Sequence, residues 1–271
     1  MRMFIASLLG LCVAWTAQAA DDGGHVQVSR ARILDQASIP VYGYRVVQTY
    51  PHDRTSYTEG LLMVDGAVVE GTGLYGQSKV RRWDLRTGRG LNEVQLDPHY
   101  FGEGVTVLDG VVDELTYIEN TGFLYDPRTL RRTGSYRYAT QGWGLTHDGT
   151  HLIASDGSSA IRFLDPRTHE QVRRIFVTDD VGPVGFLNEL EYVDGKLYAN
   201  VWQTDFIAII APDTGRITGW IDLTGLNPDP AALVYPLVLN GIAFNRETGR
   251  LLVTGKCWPS VYEIELTARK N

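Results

Sequence analysis

A single carboxylate held between two glycines, in Phe101-Gly102-Glu103-Gly104-Val105, is suited to moving a proton. A positioned carboxyl can act as general acid or base. Glycine lets the backbone bend sharply or be approached closely, so Glu103 can stand at the mouth of a strand. Four further fragments combine aromatics, glycines and one polar group: Tyr57-Thr58-Glu59-Gly60, Gln141-Gly142-Trp143-Gly144, Leu187-Asn188-Glu189-Leu190 and Asn240-Gly241. Lys256, in Thr254-Gly255-Lys256-Cys257-Trp258-Pro259, ends a strand-like run, and Trp202 lies in Asn200-Val201-Trp202-Gln203-Thr204. Taken singly, these residues have plain structural readings. Glu103 is then a solvated turn carboxylate, Lys256 a solvated lysine, Trp202 packing between sheets and Cys257 a small buried hydrophobe. Taken together, the polar residue is not constant across the fragments, as a site would need and a structural repeat would not. Brought to one face, the fragments make a pocket of aromatic walls with a few convergent polar groups.

Other chemistries find less support. His25, His52, His99 and His169 are scattered, and His147 and His151 flank Asp148-Gly149, a hairpin signal. There is no G-x-S-x-G elbow, no H-E-x-x-H and no phosphate-cradling glycine loop. No metal and no cofactor is expected. The net charge is −7, with no basic block beyond Arg128, Arg131 and Arg132. That argues against nucleic acid as a partner, because phosphate binding needs clustered Lys and Arg.

The elements that must position these residues are β-strands. From residue 44 the chain is a series of short β-type runs divided by Gly, Asp and Asn turns. Arg82-Trp83-Asp84-Leu85-Arg86-Thr87 is echoed by Leu124-Tyr125-Asp126-Pro127-Arg128-Thr129, by Phe163-Leu164-Asp165-Pro166-Arg167-Thr168 and by Ile210-Ala211-Pro212-Asp213-Thr214. The four threonines are spaced by 42, 39 and 46 residues. Such a period, with about four strands in each, predicts propeller blades. An insertion rich in Pro and Asn follows over residues 223–239, then three strand-like runs with no fourth. The strand at 44–50 has no blade before it, so it is expected to complete the last blade. Closing the ring removes exposed sheet edges. The expected fold is all-β, a five-bladed β-propeller over residues 44–271. A two-sheet sandwich is the alternative, but it does not call for a regular echo.

The first 20 residues read as a secretory signal: Arg2, an apolar run over 4–15, and Ala17-Gln18-Ala19 before Asp21. The run is too short to span a bilayer, which takes about 20 residues. Leu11 before Cys12 speaks against a lipoprotein signal. Residues 21–43 read as a polar, poorly ordered lead-in, with Ile33, Leu34 and Ile39 able to pack on the outside of the domain. Cys257 is then alone, and no intramolecular disulfide forms. A secreted or periplasmic protein, monomeric and free of the membrane, is expected.

The fragments resemble those of the plant and bacterial glutaminyl-peptide cyclotransferases, five-bladed propellers unrelated to the zinc-dependent animal enzymes. The resemblance covers residues 44–266. Its markers are Tyr57-Thr58-Glu59-Gly60-Leu61, Thr72-Gly73-Leu74-Tyr75-Gly76-Gln77-Ser78, Phe101-Gly102-Glu103-Gly104, Leu115-Thr116-Tyr117, Leu187-Asn188-Glu189-Leu190-Glu191-Tyr192, Asn200-Val201-Trp202, Asn240-Gly241-Ile242-Ala243 and Thr254-Gly255-Lys256. Tyr57 stands where the family often has Phe, Tyr117 where Trp is usual, Cys257 where an apolar residue is usual, and Glu59 where some members have Gln. The resemblance implies conversion of an N-terminal glutamine of peptides or proteins to pyroglutamate, with release of ammonia and no metal. It implies that Glu103 is the acid/base, that Asn188 and Lys256 are its polar partners, and that Tyr57, Phe101, Trp143 and Trp202 line the pocket. Glu59 lies beside them, and is expected to help hold the substrate's amine. The substrate supplies its own proximity, since its α-amine attacks its own side-chain amide. The oxyanion so formed calls for Lys256 or the Asn188 amide. Two other readings compete: a non-catalytic propeller that binds peptides or a protein on the same face, and a metal-dependent lactonase-type propeller, whose ligand set is not found.

Overall fold

The computed structural model describes residues 28–36, 38–228 and 237–268, without the side chains of residues 35 and 36. The signal-like residues 1–20, the start of the lead-in and residues 229–236 of the insertion lie outside the described residues. The chain opens with α1 (Arg30–Gln36) and β1 (Val41–Pro51). Three four-stranded antiparallel sheets follow. The first is β2 (Thr58–Val64), β3 (Ala67–Thr72), β4 (Lys79–Trp83) and β5 (Gly90–Gln95). The second is β6 (Gly102–Leu108), β7 (Val111–Thr116), β8 (Thr121–Tyr125) and β9 (Arg132–Arg137). The third is β10 (Leu145–His147), β11 (Leu152–Ser155), β12 (Ala160–Leu164) and β13 (Gln171–Phe176). His147 and His151 do flank a β-turn, and so share no helix face.

The fourth sheet has eight strands. Half of it is β14 (Leu187–Val193), β15 (Lys196–Val201), β16 (Phe206–Ile210) and β17 (Ile217–Asp222). The other half is β18 (Leu239–Asn245), β19 (Arg250–Gly255), β20 (Ser260–Ala268) and β1. The N-terminal strand therefore pairs with the last one, antiparallel from Tyr42↔Ala268 to Pro51↔Ser260. Its first residues also pair in parallel with β17, at Val41↔Trp220 and Tyr42↔Ile221, which joins the two halves.

The repeat is a local device. Asp84 Oδ1 accepts the Thr87 amide at 2.9 Å and its hydroxyl at 2.6 Å, and reverses the chain between β4 and β5. Asp126 does the same for Thr129, and Asp165 accepts the Thr168 amide. A carboxylate that satisfies turn amides is the reason Asp recurs there. The fourth copy has Ala211 in that place and closes on the backbone, Gly215 N to Ala211 O at 2.9 Å.

The first strand of each unit is largely buried. β2 lies against β6 and β18, β6 against β10, β10 against β14, and β14 against β18, so these strands touch in a closed cycle. Each neighbouring pair of units shares an apolar core. Leu62 and Val69 meet Val105 and Phe123, Leu108 and Leu115 meet Leu145 and Leu152, and Leu61 and Trp83 meet Ala243 and Val261. Burying a side chain of this size contributes about 1.5–3 kcal/mol, so the cycle is held by many equivalent seams.

The lead-in departs from the expectation of poor order. Val28 and Ile33 are buried beside Trp220, and Leu34 and Ile39 pack on them. Arg32 forks onto Asp179, Nε to Oδ2 at 2.9 Å, and donates to the Gly182 carbonyl at 3.2 Å. β1 begins at Val41 rather than residue 44, because the Pro40 carbonyl takes the Trp220 amide at 2.9 Å and leads the chain into register with β17.

Candidate active site

The chemistry-bearing residues occupy one repeated position. Glu59, Glu103, Asn188 and Asn240 are each the second residue of β2, β6, β14 and β18. In each of these strands the ladder to the next strand slips at that point: Thr58/Gly60, Gly102/Val105, Leu187/Leu190 and Leu239/Ile242. A bulge leaves residues unpaired and re-aims their side chains. The cycle of first strands thus presents two carboxyls and two carboxamides at one end. The glycines around Glu103 meet the expected need for close approach. A Cβ on Gly104 would lie 2.5 Å from the Trp143 carbonyl, and one on Gly102 would lie 2.8 Å from the Thr72 carbonyl.

Lys256, just beyond β19, is 4% exposed and donates to Glu59 Oε1 at 2.6 Å. Its ammonium also lies 4.4 Å from the centre of the Tyr57 ring, within cation–π range. Asn240 Nδ2 donates to Glu59 Oε2 at 3.0 Å and to the Thr58 carbonyl at 3.0 Å. Both oxygens of Glu59 are therefore occupied from within the protein. Glu103 shares a side-chain hydrogen bond with Glu59.

Burial pushes the Glu59 carboxyl up, and Lys256 and Glu103 oppose that push. Burial pushes Glu103 well above the usual carboxylate range, and the charge of Glu59 adds to it. Glu103 is the member of the pair that keeps the proton, since two adjacent carboxyls cannot both ionise cheaply. Asn188 is buried, its Oδ1 has no hydrogen-bond partner, and its backbone carbonyl accepts Ser155 Oγ at 2.7 Å.

The aromatic residues form an arc. Phe101 lies 6.2 Å from Tyr57 and 5.9 Å from Tyr117, ring centre to ring centre. Tyr117 lies 6.5 Å from Trp143, and Trp143 lies 5.7 Å from Trp202, edge to face. Trp143 is fixed by donating Nε1 to Gln141 Oε1 at 3.0 Å. Gly73 makes room for Phe101, since a Cβ there would lie 2.4 Å from the ring and 3.1 Å from Glu59 Oε1. All eight residues expected at the site fall in this one region, and Cys257 lies beside Lys256 as a free thiol.

Further residues belong to the same region. Glu189, on the β14 bulge, accepts the Ile242 amide at 2.7 Å and the Leu61 amide at 3.3 Å, and so ties three first strands together. Tyr75 packs on Phe101 at 5.4 Å and donates to Glu119. Their sequence signals were present, in the fragment around Asn188 and in Thr72-Gly73-Leu74-Tyr75-Gly76-Gln77-Ser78, but no role followed from spacing alone. Among the described residues, no three His, Cys, Asp or Glu side chains group as metal ligands would.

The fold and site define an all-β, propeller-like protein with a buried Glu59–Glu103–Lys256 cluster beside an arc of aromatic rings. The sequence pattern of the glutamine cyclotransferase family matches residues 16–266, and the chain belongs to that family. It is similar to a glutaminyl-peptide cyclotransferase of Arabidopsis thaliana, 42% identical over 225 residues, 82% of this chain and 70% of that protein. It is also similar to the crystal structure of Myxococcus xanthus glutaminyl cyclase, at 30% identity and a TM-score of 0.80, covering 86% of this chain and all of that one.

Proposed function

We propose that the chain is a glutaminyl-peptide cyclotransferase, an acyltransferase that converts an N-terminal glutamine of peptides or proteins to pyroglutamate and releases ammonia. The observation that carries this reading is Glu103, its carboxyl pushed up by burial and by Glu59, beside the Lys256–Glu59 pair and the aromatic arc. The family membership and both relatives support it.

The reading assigns each group a step. The substrate arrives as an ammonium with a pKa of about 7.7–8.0. An ordinary carboxylate is too weak a base to deprotonate it, but burial and Glu59 lift Glu103 towards that range. In its ionised form Glu103 takes the proton and frees the amine, which attacks the side-chain amide carbon. Lys256 and the Asn188 amide face the oxyanion that forms. Glu103 returns the proton to the departing nitrogen as the tetrahedral intermediate collapses. The ring nitrogen's remaining proton passes through Glu103 to the released ammonia, so the lactam and an ammonium ion result and the protein neither gains nor loses a proton. Tyr57, Phe101, Trp143 and Trp202 select the folded-back conformer and exclude water. Glu59 keeps Lys256 in place and keeps Glu103 basic, and Asn240 orients Glu59.

The reading includes five blades, with β1, β18, β19 and β20 as the fifth. The closed cycle of β2, β6, β10, β14 and β18 supports that count. It also includes export by residues 1–20 and action as a metal-independent monomer. The test is to incubate purified protein with Gln-initiated and Glu-initiated peptides and follow ammonia. Ammonia from the Gln peptide, lost in Glu103→Gln, is expected. Saturable peptide binding without ammonia would instead favour the binding module.

A further inference from the structure

A peptide's α-ammonium needs an anionic partner before it gives up its proton. Glu59 is spoken for by Lys256 and Asn240. Another carboxylate stands at the same end of the sheets. Glu119 lies in the β7–β8 connection, two residues past Tyr117, whose amide is bound to the Phe101 carbonyl at 2.9 Å. Its Oε1 accepts the Tyr75 hydroxyl at 2.7 Å. Its Oε2 is buried and has no hydrogen-bond partner. A desolvated carboxylate oxygen without a donor is costly, so such a group calls for an explanation.

The surroundings favour a cationic ligand. The Tyr75 ring packs edge-on to Phe101, which fixes Glu119 to the aromatic arc. The Glu119 carbonyl accepts Thr121 Oγ1 at 2.9 Å and Arg137 Nη1 at 3.1 Å, so its backbone is braced. The charge of Glu119 also adds a little to the upward push on Glu103. Burial, then the Glu119 hydrogen bond and charge, push the Tyr75 hydroxyl up, so Tyr75 remains a donor to Glu119.

We propose that Glu119, oriented by Tyr75, is the docking carboxylate for the substrate's α-ammonium at the rim, from which the amine reaches Glu103. The site takes peptides with a free, charged N-terminus and gains nothing from N-blocked ones. This rests on the cyclase reading. The test uses a Gln-initiated peptide as substrate. As inhibitor it uses the same peptide with a 4-carbamoylbutanoyl group replacing glutamine, which keeps the amide and lacks the α-amine. Ammonia release by the parent protein is read first, and its absence sinks the cyclase reading. Glu119→Gln is then expected to raise KM for the Gln peptide roughly tenfold, the size of one charge-assisted hydrogen bond. Its kcat and the inhibitor's Ki should stay near the parent's. Tyr75→Phe should move KM the same way by less. Turnover with an unchanged KM in Glu119→Gln overturns the Glu119 assignment alone. So does a KM and Ki that rise together, which would make Glu119 part of the wall.

Discussion

Glu70 and Glu103 lie on neighbouring sheets, both are removed from solvent, and they end in opposite states. Glu70 Oε1 accepts the Thr58 hydroxyl at 2.9 Å and faces His52 Nε2 at 3.0 Å. Its Oε2 accepts Trp83 Nε1 at 3.0 Å, with Arg81 Nε at 3.9 Å. Burial pushes Glu70 up, but His52, Arg81 and Thr58 together hold it below the ordinary carboxylate value. Glu103 meets the same burial, and the nearby Glu59 pushes in the same direction, with Lys256 opposing. Burial is common to both, so it does not separate a structural carboxylate from a catalytic one. The supply of donors does. Glu70 is given donors on both oxygens and stays ionised. Glu103 is left short of them and keeps a proton it can exchange.

The sharpest way to break that contrast is to neutralise each member. Glu103→Gln should lower kcat by about 10²–10⁴, the usual worth of a positioned acid/base. It should leave the melting temperature near the parent's, because the fold already holds Glu103 neutral. Glu70→Ala should do the reverse. Removing one partner of a buried charge network costs about 3–5 kcal/mol, read as a lower urea midpoint, while kcat per folded molecule stays close to the parent's. Equal losses of turnover in the two variants would erase the distinction.

Glu59→Gln tests the link between the two states. It removes the charge that raises Glu103 and frees Lys256, and both changes move Glu103 down. The base form of Glu103 then persists to lower pH, so the acid limb of kcat/KM should shift to lower pH. The limb reports the pair rather than one residue. The turnover loss should be smaller than in Glu103→Gln. A larger loss would exchange the roles of Glu59 and Glu103.

What could be read from the sequence was local. The Asp/Thr turns announce themselves because Asp84, Asp126 and Asp165 bond within three residues. The unpaired last strand and the orphan first strand pointed to each other by count, and β1–β20 pairing followed. The functional fragments were legible because each sets a Glu, Gln or Asn among aromatics, glycines or apolar residues at a strand start. The partnering was not legible. Glu59 is held by residues 181 and 197 positions away. The parallel β1–β17 pairing and the seating of α1 are likewise contacts between distant segments. Glu119 carried no signal in the sequence, and its contact comes from Tyr75, 44 positions earlier.

Glu114 stands between the two extremes and gives the smallest test. Tyr125 donates to its Oε2 at 2.6 Å, while Oε1 is buried without a partner, close over Gly102. Burial raises it to about 8, and the single tyrosine only partly offsets that. The folded protein thus holds a proton that the unfolded chain releases near its ordinary 4.5. The stability this contributes is complete below that value and declines as pH rises, by about 1.4 kcal/mol per pH unit. The decline ends once pH passes about 8, where the folded protein gives up the proton as well. Glu114→Gln lacks the proton exchange, so its urea midpoint should fall less than the parent's between pH 5 and pH 8. Glu191, raised to about 7 by burial, declines with the same sign in both proteins and drops out of the difference. Parallel stability curves would mean that Glu114 has found donors enough to behave like Glu70, and donor supply would then fail as the rule that separates these carboxyls.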